Sequence, residues 1–96
     1  MLTQSTFEQL CRHACSNPEK PRPDETVDDA YWRGVCQEVS GYLNAPLMFR
    51  PSGGGSRGNI YRITLLELVE GKLRGSYDPV AIASNFINAA LDREDG

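Results

Sequence analysis

The residues of this chain that could carry chemistry are few, and a glycine tract near its centre collects several of them. Gly53, Gly55 and Gly58 match the spacing G-x-G-x-x-G, which lets backbone amides approach a phosphate without side-chain interference. A dinucleotide fold needs a buried strand before such a tract, a helix opening directly on it and an acid about 20 residues further on. Ile60-Tyr61-Arg62-Ile63 reads instead as extended, and no kinase-type lysine strand or catalytic loop follows. The tract is therefore expected to be a flexible surface loop, with no nucleotide or other cofactor.

Its arginines are more suggestive. Arg50, Arg57 and Arg62 surround the glycines and could form an anion-binding edge, with Phe49 and Tyr61 available to stack on bases. Forked guanidinium donors meet phosphate and carboxylate equally well, so these residues alone do not choose between nucleic acid and an acidic protein surface. Aromatic residues anchor many interfaces. Tyr31 belongs to the apolar stripe of its helix and Trp32 to the border, which makes Trp32 the expected partly exposed anchor.

Catalytic and metal constellations are missing from the pattern. Cys11 and Cys15, four apart, share a helix face, and with Cys36 they give three zinc ligands at most. His13, the only histidine, lies two residues from each and on the far side of that helix. The three cysteines are expected to be core thiols. No nucleophile is spaced to use His13, and Asp28-Asp29 fit the electropositive start of a helix better than acid–base catalysis. The chain reads as neither an enzyme nor a metal protein.

Four helices would position these residues. The first, near 3–15, starts at Thr3 with Leu2 and Phe7 as a hydrophobic staple, or at Ser5 with Glu8 as a capping box, and buries Phe7, Leu10, Cys11 and Ala14. Pro18, Pro21 and Pro23 end it in a stiff connector. The second, near 24–43, is capped by Asp24 or Thr26 and carries Val27, Tyr31, Val35, Val39 and Leu43 in steps of four. It is the expected centre of the fold, and Asn44-Ala45-Pro46 stops it. A third, near 64–74, follows from the capping box Thr64-Leu65-Leu66-Glu67 and a stripe of Leu65, Leu66, Val69 and Leu73, with Gly75 as its stop. A fourth, near 78–92, has Asp78 as N-cap and Pro79 at its first position. Residues 47–63 read as a short β-hairpin with a long tip or as an irregular loop. The fold class is mainly α, a small four-helix orthogonal bundle.

The 96 residues allow one domain, 1–96, burying roughly 60–65% of its unfolded surface. Hydrophobic residues at 40% and charged residues at 24% match globular usage and exclude collagen-like or wholly disordered chains. The net charge of −3 hides a gradient: residues 1–49 carry −3, residues 50–74 carry +3, and residues 75–96 carry −3. No apolar run approaches a membrane span, the first residues lack a secretory signal, and an odd number of cysteines suits a reducing compartment. A cytoplasmic location and no membrane partner are expected. The expected function is that of a small regulator, adaptor or inhibitor of bacterial or phage type, which occupies an acidic protein surface through Arg50, Arg57, Arg62, Tyr61 and Trp32. A nucleic-acid-binding regulator is the alternative, with the third and fourth helices as a helix-turn-helix. Its weakness is Asp78-Pro79-Val80-Ala81-Ile82-Ala83, which offers no base-reading side chain. A homodimer is compatible with either.

Overall fold

The computed structural model describes residues 2–47, 57–72 and 76–95. Four helices account for most of them: α1 (Gln4–Ser16), α2 (Val27–Leu43), α3 (Arg57–Lys72) and α4 (Pro79–Asp95), with no strand among the described residues.

Local chemistry sets three of the four starts. Thr3 caps α1, its side-chain oxygen accepting the Thr6 N–H at 3.1 Å. Leu2 before the cap and Phe7 within the helix are both buried in one cluster, as a hydrophobic staple requires. Of the two caps considered for α2, Thr26 is used. Its hydroxyl accepts the Asp29 N–H at 3.1 Å while the Asp29 carboxylate accepts the Thr26 N–H at 3.0 Å, a reciprocal capping box. Asp78 opens α4 by accepting the Val80 and Ala81 N–H groups at 3.0 and 3.3 Å, which leaves Pro79 at the position where its missing donor costs nothing. Asn44 ends α2 with φ 53°, in the left-handed region that asparagine tolerates better than most residues.

α3 departs from expectation. It begins at Arg57, seven residues before the Thr64 capping box, so residues 57–63 are helical and the second strand of the expected hairpin, at 59–63, is helix instead. Thr64 lies inside the helix, where its hydroxyl donates to the Ile60 carbonyl at 2.9 Å. α4 likewise runs to Asp95 rather than stopping near 92. The segment 48–56, with Phe49, Arg50, Gly53 and Gly55, and the Leu73–Gly75 stop fall outside the described residues.

α2 is the centre: it packs against α1, α3 and α4. α4 closes the ring by touching α1 and α3, whereas α1 and α3 do not meet among the described residues. Phe7, Cys11, Val35, Cys36, Val39, Leu65 and Ile87 are the largest side chains fully removed from solvent. This is a mainly helical four-helix bundle. Each fully buried aliphatic or aromatic side chain contributes about 1.5–3 kcal/mol against exposure.

Candidate binding site

The polar interior is organised from α2 outward. Arg33 is buried, its side chain 3% exposed, and it is held by three anchors on the connector before the helix. Nε donates to the Glu25 carboxylate at 3.0 and 3.3 Å, Nη2 donates to Glu25 at 3.1 Å and to the Lys20 carbonyl at 3.2 Å, and Nη1 pairs with Glu19. The Glu25 side chain is fully buried and also accepts the Tyr61 hydroxyl at 2.6 Å and the Arg22 N–H at 2.9 Å. Burial works to raise the Glu25 pKa. The hydrogen bonds from Arg33, Tyr61 and Arg22, with the Arg33 charge, outweigh it and lower the pKa to about 2. Burial and the Glu25 hydrogen bond push the Tyr61 phenol up to about 12.

This network corrects two expectations. Tyr61 is 2% exposed and has no face open for stacking on a base. Its position on α3 turns the ring into the core, and Glu25 satisfies the hydroxyl that burial would otherwise orphan. Trp32 is 6% exposed and belongs to the core cluster, so it is not an exposed interface anchor. Tyr31 is buried, as its place in the stripe predicts.

The arginines behave differently. Arg57 and Arg62 are both exposed on α3. Arg57 pairs with Asp24 across to the connector, and Arg62 Nη2 donates to Asn59 Oδ1 at 2.6 Å. Tyr61 is buried one residue before Arg62 and one helical turn after Arg57, so the ring holds α3 against the core while both cations stay exposed. Arg50 lies outside the described residues.

Beside Arg62 the N-terminal ends of α2 and α3 meet the middle of α4 around an open cleft of about 270 Å³. Asp28, Trp32, Gly58, Asn59, Arg62, Ser84, Ile87 and Asn88 line it. Gly58 makes the close approach feasible: a Cβ there would stand 2.7 Å from Asp29 Oδ1, 3.3 Å from Asp28 Oδ2 and 3.5 Å from Trp32 Cδ1. Asp28 is half-buried, and its pKa is raised, first by desolvation and then by the neighbouring Asp29 charge. The cleft thus brings two of the residues expected to bind a partner, Arg62 and Trp32, together with Asp28, Asn59, Ser84 and Asn88.

No family model, curated protein or solved structure matches this chain.

Sequence reading missed Glu25, Arg33, Asn59, Ser84 and Asn88. Arg33 was legible only as a polar-face residue, and its burial follows from three partners supplied by the connector. Asn59 carried no signal, because the extended reading of 59–63 hid its relation to Arg62 one turn away. In the sequence Gly58 reads as the last glycine of a phosphate-loop spacing, whereas in the fold it allows the close contact with Asp28 and Asp29.

The thiols sit where the helix faces put them. Cys11, Cys15 and Cys36 are buried and unpaired by disulfide, and Cys36 Sγ donates to the Tyr61 carbonyl at 2.9 Å. Burial, reinforced by neighbouring Cys15, Glu8 and Cys36, pushes Cys11 up to about 12. Burial alone takes Cys36 to about 12, against a hydrogen bond from the Leu65 backbone. Among the described residues no group of three or more His, Cys, Asp or Glu side chains is placed to hold a metal ion. His13 is exposed and joins α1 to α2 through Glu38, Nδ1 to Oε1 at 2.6 Å. No described helix is long and apolar enough to cross a membrane.

Proposed function

We propose that the chain is a small non-enzymatic protein-binding regulator, of adaptor or inhibitor type and cytoplasmic, which occupies an acidic partner surface through the exposed arginines of α3. The observation that carries this reading is the division of labour around Tyr61. The tyrosine is buried and hydrogen-bonded to Glu25, while Arg57 and Arg62 on either side of it remain exposed. A helix anchored in this way presents forked cations from a rigid base, which suits recognition of carboxylates. Arg50, in the preceding segment, is taken as a third contact. The start of α4 supports a protein partner over nucleic acid, because its exposed positions Asp78, Ala81 and Asn85 supply no cation for a phosphate backbone.

Capture from native cell extract, followed by mass identification, tests this directly. The wild-type chain retains an acidic protein, and a variant with Arg50, Arg57 and Arg62 all replaced by Ala loses it without a substantial change in thermal midpoint. Retention of polynucleotide instead, with affinity falling steeply as salt rises, would overturn the reading in favour of nucleic-acid binding.

A further inference from the structure

The cleft at the α2, α3 and α4 junction sets Arg62, which the partner reading also uses, beside Asp28, which it does not. Asp28 and Arg62 line the same space, yet they form no ion pair, and Asp28 makes no side-chain hydrogen bond among the described residues. Both adjoin Gly58. Asp28 Oδ2 lies 3.3 Å from the point a Gly58 Cβ would occupy, and Arg62 follows Gly58 by one helical turn on the same face. The Arg62 guanidinium folds back toward that level, because Nη2 reaches Asn59 Oδ1 at 2.6 Å.

A lone cation would meet Asp28 but be repelled by Arg62, and a lone anion would meet the reverse. A ligand that carries both charges within a few bonds of each other leaves neither side unmatched. Asn88 offers a carboxamide and Ser84 a hydroxyl, groups that both donate and accept, while the Trp32 edge and Ile87 supply the apolar part of the lining. The volume of about 270 Å³ falls below the roughly 300–1,000 Å³ typical of sites for drug-sized ligands, which points to a molecule of few atoms.

From this juxtaposition we infer that the cleft binds a small free zwitterion of the α-amino-acid class, its ammonium on the Asp28 carboxylate and its carboxylate on the Arg62 guanidinium. The inference stands on the cleft and not on the protein-partner reading. Arg57, which does not line the cleft, separates the two: Arg57→Ala weakens partner capture and leaves ligand binding unchanged.

Trp32 is the only tryptophan, so its fluorescence reports on the cleft wall. Titration of the full chain with glycine, L-serine and L-asparagine should give a saturable change for at least one of them. Blocking that amino acid by N-acetylation, or by conversion to its amide, should each weaken binding by about tenfold or more, as expected when one charge-assisted partner is removed. In Asp28→Asn the free and N-acetylated forms should bind alike, and in Arg62→Gln the acid and its amide should bind alike. Circular dichroism confirms that both variants are folded. No saturable response to any of the three, blocked forms that bind as well as free ones, or closure of the cleft by a direct Asp28–Arg62 ion pair in solution would overturn the inference.

Discussion

Gly58 donates its backbone N–H to the Asp29 carboxylate, whose other oxygen accepts the Thr26 N–H at 3.0 Å. One side chain therefore terminates two helices. The electropositive ends of α2 and α3 converge on it, and each supplies a backbone donor that would otherwise lack a partner inside the fold.

Loss of this carboxylate should be felt in both helices. Asp29→Ala removes a cap worth about 0.5–2 kcal/mol and leaves the buried Gly58 donor unsatisfied at a cost of about 1–3 kcal/mol. Urea denaturation should show a combined loss of about 2–4 kcal/mol. Gly58→Ala tests the same contact from the other side. Alanine would gain about 1 kcal/mol of helix propensity in open surroundings, but the 2.7 Å approach to Asp29 forces a shift, so a net destabilisation is expected.

Acid should unfold the protein through Glu25. Its folded pKa of about 2 lies below the ordinary 4.5, so the stabilisation it provides is fully present above pH 4.5 and disappears as pH falls toward 2. A shift of this size corresponds to an upper value of about 3 kcal/mol. Tyr61 acts in the opposite range. Its pKa is raised from 10 to about 12, so its contribution is intact below pH 10 and is lost as pH rises toward 12. Stability against pH in Glu25→Gln, measured by denaturant midpoints, should lack the acid limb that wild type shows between pH 4.5 and 2.

Arg33 should tolerate no simple truncation. Arg33→Ala leaves the Glu25 carboxylate buried without its main counter-charge, and breaking such a pair costs about 3–5 kcal/mol. The double variant Glu25→Gln with Arg33→Met removes both charges together. It should recover much of that loss in calorimetry, because the residual amide and thioether carry no uncompensated charge.

The thiols should be silent until the chain unfolds. With Cys11 and Cys36 at about 12 and Cys15 raised by burial against the lowering effect of Arg93, all three thiols are held toward the unreactive protonated form at pH 8. Reaction with a disulfide reagent should be at least about a hundredfold slower in the native protein than in denaturant. A fast native phase would show that one of these cysteines is accessible.

Where local chemistry decides an element, the sequence made it legible. Thr3, Thr26 and Asp78 carry their caps within three residues, and the four-step stripe of α2 needs only helix geometry to predict burial of Tyr31, Val35 and Val39. The start of α3 was not legible because its cap is Asp29, which lies 29 residues earlier in the chain. Without that donor pair in view, the β-branched residues 60 and 63 and the glycines before them outweigh a helix, and Thr64 looks like the first cap available. The same cause misplaced Tyr61. Once α3 extends back to Arg57, Tyr61, Leu65 and Val69 fall in steps of four and form one buried stripe. The cleft was illegible for a different reason, since its polar lining is drawn from three helices and no single stretch holds its pattern.

The ring of helices has a mechanical consequence. α1, α2 and α4 touch one another, and so do α2, α3 and α4, but α1 and α3 do not among the described residues. The molecule is thus two three-helix wedges with one seam in common, the line where α2 meets α4. Damage confined to α1 or to α3 opens one wedge and spares the other, whereas a residue on the seam, such as Ile87, which reaches both the core and the cleft wall, couples the two wedges.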